Sequence, residues 1–251
     1  MLKMSKTSKV EDTLKFNLEV FEERKSFKKV GKKVLVLKKR DRRLSRTLTF
    51  DPEICVRCGR CEEICDFISI KEGFDERCYA CGLCVDVCFY NALKLYEGGR
   101  KVRTVKPIAK IVFDENFCKG DECNGECVKS CPRKAISKSF KASFIEDLCF
   151  YCGRCEKACE FDAIRIVKPL SGRVEIDRGK CDECGKCYYA CPTKAITKDF
   201  EVNHEFCIFC GVCVKVCDRN AVSMKAKLNF EIEEVPWKES RIKALERLGL
   251  V

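Results

Sequence analysis

Residues 181–192 read CDECGKCYYACP, and the architecture of the chain turns on that stretch. Its cysteines are spaced C-x2-C-x2-C-x3-C, and a proline follows the last. The pattern recurs along the chain. Its quartets are Cys55, Cys58, Cys61 and Cys65; Cys78, Cys81, Cys84 and Cys88; Cys118, Cys123, Cys127 and Cys131; Cys149, Cys152, Cys155 and Cys159; Cys181, Cys184, Cys187 and Cys191; and Cys207, Cys210, Cys213 and Cys217. Together the six use all 24 cysteines of the 251 residues. Soft thiolates satisfy iron in either oxidation state, and a cubane of four irons offers one outward site per iron. Six quartets therefore predict six [4Fe-4S] clusters, with these 24 cysteines as the iron ligands. Structural zinc is the first competitor, but it uses separated C-x2-C pairs, without a third cysteine at the same interval. Disulfides are the second; they need an oxidising compartment, and the N-terminus carries no apolar core of signal-peptide length.

The net charge of +11 invites a nucleic-acid reading, which its distribution opposes. Residues 1–46 hold 16 Lys and Arg against 6 Asp and Glu, a balance of +10 that leaves +1 for the rest. An oxidised cube with four thiolates carries about −2, so six of them would bring the remaining body to about −11. The excess is a basic N-terminal arm, expected to fold over its own acidic body or to dock on a partner, and no nucleic-acid partner is predicted. No apolar run approaches membrane-spanning length, Val34 to Leu37 being the longest candidate. The chain is expected to be cytoplasmic, with any membrane attachment made through a partner subunit.

Within the arm, Leu14, Phe16, Leu18 and Val20 alternate like a strand, although Val10, Leu14, Leu18 and Phe21 also suit a helix. Val34 to Leu37 suggests a second strand with Gly31 in the turn, so residues 1–46 are read as a possible hairpin packing on the first cluster domain. From Thr47 the chain is periodic. Phe50, Phe74, Phe113, Phe144, Ile176 and Val202 each precede a first cysteine by four or five places. Ser69, Ala92, Ala135, Ala163, Ala195 and Ala221 each follow a fourth cysteine by four, and each is followed by Ile, Leu or Val. Every repeat thus reads as short strand, cysteine loop, short helix and short strand, with the fourth cysteine opening the helix. Gly59, Gly82, Gly153, Gly185 and Gly211 follow the second cysteine, where a bare Cα permits unusual angles and lets amides point at sulfur. The single histidine, His204, falls in the turn before a first cysteine and is expected to be exposed.

The gaps between successive quartets are 12, 29, 17, 21 and 15 residues. The two longer ones contain Lys106-Pro107 and Lys168-Pro169, the latter followed by Ser171-Gly172, which reads as linker chemistry. Sequential pairing follows: an α+β chain of three tandem two-cluster domains at 47–105, 108–168 and 173–226, then a strand and helix extension over 227–251. A nested arrangement, with one domain inserted in another, stays open because 21 is not much longer than 17. Residues 228–232 alternate like a strand, and Ile242, Leu245 and Leu248 share one helical face before Gly249 as a stop signal. That helix is read as covering the body in preference to meeting another subunit.

The quartet spacing resembles that of bacterial two-cluster ferredoxins, in which the fourth cysteine of each motif ligates the neighbouring cluster. That resemblance implies the sets Cys55, Cys58, Cys61 with Cys88; Cys78, Cys81, Cys84 with Cys65; Cys118, Cys123, Cys127 with Cys159; Cys149, Cys152, Cys155 with Cys131; Cys181, Cys184, Cys187 with Cys217; and Cys207, Cys210, Cys213 with Cys191. Two departures stand out. The third quartet is C-x4-C-x3-C-x3-C, with Asp121, Glu122 and Glu126 in or beside the longer loops. Proline follows the fourth cysteine only at Pro132 and Pro192, while Asp66, Phe89, Glu160 and Asp218 take the other places, so unequal potentials are expected.

Nothing in the chain reads as catalytic: there is no phosphate-cradling glycine loop, no nucleotide fingerprint and no triad. Six tandem units with short strands between them, over residues 47–226, resemble the polyferredoxins of methanogenic archaea. The resemblance implies a relay of single electrons along a linear series of domains. It also implies a place as a subunit of an energy-converting [NiFe] hydrogenase, a formylmethanofuran dehydrogenase, or the F420-non-reducing hydrogenase and heterodisulfide reductase system, the cluster count resembling the hydrogenase type best. Two alternatives stand beside it: a free soluble carrier, and a scaffold whose clusters are purely structural.

Overall fold

An antiparallel strand pairing that recurs six times, five of them in the same register, places the cysteine loops. The computed structural model describes residues 35–40, 45–138 and 140–251. β2 (Ser45–Phe50) pairs antiparallel with β5 (Leu93–Glu97), β4 (Gly73–Phe74) with β3 (Ile68–Ser69), β8 (Lys110–Phe113) with β11 (Ile164–Val167), and β10 (Ala142–Phe144) with β9 (Ile136–Lys138). β12 (Leu170–Ile176) pairs with β13 (Val222–Leu228), and Val202 makes an isolated bridge to Ile196. In five of the six the apolar residue before a first cysteine faces the one after a small residue: Phe50 and Leu93, Phe113 and Ile164, Phe144 and Ile136, Ile176 and Val222, Val202 and Ile196; in the sixth, Phe74 faces Ile68, the residue before Ser69. The strand before one quartet therefore closes on the strand after its neighbour. The chain is a mixture of short helices and small sheets of the kind ferredoxin-like 4Fe-4S domains use.

The helices are α1 (Arg60–Ile64), α2 (Leu83–Asp86), α3 (Glu126–Lys129), α4 (Arg154–Lys157), α5 (Lys186–Ala190) and α6 (Val212–Lys215), packed as α1 on α2, α3 on α4 and α5 on α6. Each starts just after a glycine in the left-handed region, Gly59, Gly82, Gly125, Gly153, Gly185 or Gly211, with φ between 64° and 82°. The third cysteine sits in the helix and the fourth lies at or just past its end, so the fourth cysteine closes the helix and does not open it. Spacing explains the difference: the run from third to fourth cysteine is one helical turn long, and no further turn is needed to reach the next strand.

Two other expectations change, and one is not reached. The Thr13–Val20 strand and its Gly31 turn lie outside the described residues. β1 (Leu35–Arg40) pairs instead with β2, extending a four-stranded sheet in the order β1-β2-β5-β6, with β6 spanning Arg100–Val102. Leu35 and Leu37 pack beside the core of Leu48, Phe50, Ile68 and Leu93, which gives this basic strand an apolar face to bury. Two of the segments read as linkers are strands, Lys106-Pro107 belonging to β7 (Val105–Pro107) and Ser171-Gly172 to β12, while Lys168-Pro169 is the bend between β11 and β12. Pro107 is tolerated because a two-stranded ribbon has free edges. Gly172 is demanded by close approach, since a Cβ there would lie 2.1 Å from the Lys225 carbonyl oxygen. Gly172→Ala is expected to cost about 1–3 kcal/mol through that collision, read as a lower melting midpoint beside an unaffected Ser171→Ala control.

The described residues are not strung out in a line. One apolar core joins Val87, Phe89 and Val105 to Leu170, Val174, Ile196, Phe209, Val222 and Leu228. β14 (Phe230–Ile232) returns to pair with β7, so a late strand completes an early one. α7 (Lys238–Arg247) then lies on the body, with Leu245 and Leu250 fully buried in the same core and Gly249 at φ 63° ending the helix. Burial of Leu245 alone stabilises by about 1.5–3 kcal/mol.

A buried ion pair fixes this helix. Asp86 is 2% exposed and Arg241 6%, with Nε facing Oδ2 at 3.2 Å. Oδ1 accepts the backbone N–H groups of Thr104 and Val105, both at 3.0 Å, and the Arg241 guanidinium donates to the Cys81 carbonyl. Burial pushes the Asp86 carboxyl up in spite of these donors.

Candidate iron–sulfur sites

Four cavities are lined by cysteines, and the membership of each is specific. One is lined by Cys55, Cys58, Cys61 and Cys88; a second by Cys123, Cys127 and Cys159; a third by Cys181, Cys184, Cys187 and Cys217; and a fourth by Cys191, Cys207, Cys210 and Cys213. In each, members of one quartet meet the fourth cysteine of its neighbour. The remaining thiols group the same way through their mutual charge: Cys65 feels Cys81 and Cys78, Cys149 feels Cys152 and Cys131, and Cys127 feels Cys159, Cys123 and Cys118. All 24 are free of disulfides. Among the described residues, no group of three or more His, Cys, Asp or Glu side chains is drawn close enough to hold a single metal ion.

The rings are crowded with potential negative charge. Burial pushes the Cys55 thiol up to about 12, with Cys88 and Cys58 adding to it and the Arg57 amide opposing. Burial, then Cys152, Cys149 and Cys131, takes Cys155 to about 12; burial, then Cys207, Cys191 and Cys187, takes Cys213 to about 12. Four such thiols cannot all ionise unless a cationic centre joins them, which is what an iron cube supplies. The donor set fits that group.

Backbone amides are aimed at the sulfurs. In five quartets the residue two after the first cysteine donates its N–H to that cysteine's Sγ: Arg57, Ala80, Tyr151, Glu183 and Phe209, at 3.3–3.4 Å. All five are left-handed non-glycines, φ 51° to 59°. The residue after each glycine expected to free an amide does the same for the second cysteine at Arg154, Lys186 and Val212. Ala135, Ala195 and Ala221 donate to Cys131, Cys191 and Cys217 at 3.2–3.3 Å. Those alanines stand at the start of strands, not in a helix. Their small size lets the backbone reach the sulfur.

The third quartet's longer loop forms a 3-10 turn at Gly120–Glu122, with Asp121, Glu122 and Glu126 exposed. Of the residues replacing proline after a fourth cysteine, Asp66, Glu160 and Asp218 are exposed, and Asp218 pairs with Lys186 at 2.5 Å. Phe89 alone is buried, beneath the guanidinium groups of Arg60 and Arg103. His204 is exposed, as expected, with its Nε2 facing the Val174 backbone.

Sequence reasoning missed the cations between the rings. Arg60 is 5% exposed and donates to the Phe209 carbonyl at 2.5 Å and the Tyr90 hydroxyl at 3.5 Å. Lys168 Nζ donates to the Cys207 and His204 carbonyls, at 3.1 and 3.4 Å, and lies near Cys152. Arg154 donates to Thr193 and Lys194 carbonyls and stacks on Phe206, while Arg133 reaches the Glu53 carbonyl at 2.9 Å. Lys94 hydrogen-bonds Asp147 at 2.8 Å and, with Lys101, holds its carboxyl below the usual range. A basic residue beside a cysteine motif is common enough in a sequence to carry no signal of its own; only the packing of distant segments against one another gives these a meaning.

Known proteins bear directly on these rings. Residues 148–195 and 173–218 match 4Fe-4S dicluster domain families, residues 52–67 and 74–94 match 4Fe-4S binding domain families, and residues 118–170 match the LdpA Fe-S cluster-binding domain. The chain thus carries several segments that match 4Fe-4S cluster-binding domains. It is 48% identical over 48 residues to a subunit of the ion-translocating oxidoreductase complex of Methanosarcina acetivorans, 19% of this chain and 17% of that one. It is 32% identical over 99 residues to the ferredoxin-type protein NapF of Escherichia coli, 34% of this chain and 60% of NapF. A match to ABC transporter E family member 1 of Arabidopsis thaliana, 41% identical over 64 residues, covers 22% of this chain and 11% of that protein. The chain therefore spans less than two thirds of each of these relatives. In three dimensions it is similar, at a TM-score of 0.64 and 22% identity, to a chain of the formate dehydrogenase–heterodisulfide reductase–formylmethanofuran dehydrogenase complex from Methanospirillum hungatei, over 84% of this chain and 88% of that one. That is a likeness of fold. Among the described residues, no helix is long and apolar enough to cross a membrane.

Proposed function

We propose that the chain carries six [4Fe-4S] clusters in three sequential two-cluster domains, over 47–105, 108–168 and 173–226, and relays single electrons as a subunit of a larger anaerobic oxidoreductase. The observation that carries this is the make-up of the cavities: each gathers cysteines of one quartet with the fourth of its neighbour. The strand register favours sequential over nested pairing, since Phe50 meets Leu93, Phe113 meets Ile164 and Ile176 meets Val222. When bound, each cluster would take up and release one electron without making or breaking a bond. The chain's own residues do the rest: thiolates hold the irons, amides stabilise negative charge on sulfur, and buried Val, Ile and Phe keep water out.

Placement in a complex of the hydrogenase or formylmethanofuran dehydrogenase kind rests on the fold likeness and on the oxidoreductase relative. Cys81, an exposed cysteine beside Tyr79 at 80% exposure, marks a ring near the surface that suits exchange with such a partner.

The anaerobically prepared protein is expected to hold about 24 iron and about 24 sulfide, one of each per cysteine. Cys88→Ala is expected to lose the cluster of Cys55, Cys58 and Cys61 and to leave that of Cys78, Cys81 and Cys84 in place, a loss of about one sixth of the iron, on the exchanged ligation of two-cluster ferredoxins. Loss of the second cluster in place of the first, identified by comparison with Cys55→Ala and Cys78→Ala, would refute the exchange. Purification from the native cells, followed by mass spectrometry, tests the complex: recovery alone would make the protein a free carrier.

A further inference from the structure

Arg60 is a fully buried cation without an anion. Among the described residues no carboxylate lies within ion-pair distance of it. Its guanidinium stacks on the Phe89 ring, 5.3 Å from the centroid, and its hydrogen bonds go to neutral oxygens. Burying an unpaired charge is costly, so an uncompensated guanidinium here would be a liability. Where those oxygens lie is the informative point. Tyr90 lines the cavity of Cys55, Cys58, Cys61 and Cys88. Phe209 lines the cavity of Cys191, Cys207, Cys210 and Cys213, and the Tyr90 hydroxyl donates to the carbonyl of Ile208, which lines it too. The two cavities belong to the first and last thirds of the chain.

The same seam holds the second cysteines of three quartets. Cys58, Cys152 and Cys210 share one apolar cluster with Tyr90, Phe150, Ile208 and Val212. The thiol charges that bear on Arg60 are those of Cys58 and Cys210, one from each cavity. Arg103, which also lies over the Phe89 ring, has Asp86 as well as Cys88 for company. The anions that Arg60 lacks are therefore the two thiolate rings themselves.

We propose that Arg60 is the shared counter-cation of these two cluster sites, bonding the walls of both and making each easier to reduce. The inference rests on the cluster reading above. A thiolate-ligated cube gains about one unit of negative charge on reduction, from about −2 to about −3, and a guanidinium favours the more negative state. Removing it moves both potentials downward. The other four sites are internal controls.

The test is an anaerobic redox titration followed by electron paramagnetic resonance on the full chain, comparing wild type, Arg60→Lys and Arg60→Met, with iron and sulfide counted in each. In Arg60→Met, two of the six clusters are expected to titrate at more negative potential and four to stay where they were, with Arg60→Lys in between. Full iron with no potential moved overturns the proposal, and so does an equal shift of all six. Should Arg60→Met lose iron, retention by Arg60→Lys supports the charge role, while equal loss in both shows a packing role and overturns it. Absence of iron and sulfide from the wild-type protein overturns the cluster reading itself, and this inference with it.

Discussion

Stripped of its iron, the chain is expected to lose its tertiary structure altogether, leaving no folded metal-free form. Six of its helices are only four or five residues long, well below the length at which a helix is stable in isolation. Their packing partners include the cysteines: Cys61, Cys78 and Cys84 in the first core, Cys127 and Cys155 in the smallest one. A structural metal contributes apparent free energy of about 10–16 kcal/mol in small metal-organised domains, against about 5–15 kcal/mol for the whole stability of an ordinary domain. Removing several such centres leaves little to oppose chain entropy. The measurement is near-ultraviolet circular dichroism and a thermal scan before and after removal by acid or by chelator with oxidant; a cooperative transition in the metal-free chain would contradict the expectation. Proton linkage adds a sign. In the unfolded metal-free chain the thiols keep their ordinary pKa of about 8.5, so at neutral pH they carry protons that the metal must displace. Loading therefore weakens as pH falls and releases acid as it proceeds.

Arg241→Met should be the most damaging change away from the cysteines. It leaves the Asp86 carboxyl buried without its cation, a loss of about 3–5 kcal/mol for a broken interior pair, or roughly 10 °C in melting midpoint for a chain of this size. The side chain spans a seam, reaching from α7 to α2 and to the Cys81 carbonyl, so the C-terminal helix should loosen first. Adding Asp86→Asn removes the stranded charge while keeping an acceptor for the Thr104 and Val105 amides, and should restore at least half of the loss. A single Arg241→Met variant that melts with the wild type would show that the pair contributes nothing. Iron content measured alongside separates a detached helix from a lost cluster.

The repeat and its ligand chemistry were legible because cysteine spacing is dictated by the size of a cube. The strand positions were legible too, since Phe50, Phe113 and Ile176 stand at a constant distance from the loops they precede. What lay between repeats was not. Lys106-Pro107 and Ser171-Gly172 have the residues of turns, and only the partner strands, β14 and β13, make them extended. Left-handed Arg57, Ala80, Tyr151, Glu183 and Phe209 share a position but no chemistry, so no residue preference could mark them. Asn91, Lys134, Asp162, Lys194 and Asn220, three after a fourth cysteine and also left-handed, carried a faint mark, because Asn and Asp adopt that region more readily than most residues. Asp86, Arg60 and Arg241 were invisible for another reason. A buried charge looks like any other charge until the fold that buries it is known.

The pairing of β7 with β14 sets a timetable for synthesis. Val105, fully buried in the finished protein, leaves the ribosome long before Ile232, its partner in the ribbon. At about 5–20 residues per second the intervening chain takes roughly 6–25 s to appear. Through that interval the nascent chain presents an unfinished strand and the bare patch of Val87 and Phe89 that residues 170–250 will cover. The hazard falls on the ribosome-bound chain, where a holding chaperone has work to do, and a message truncated before residue 230 would make a protein that never leaves that state.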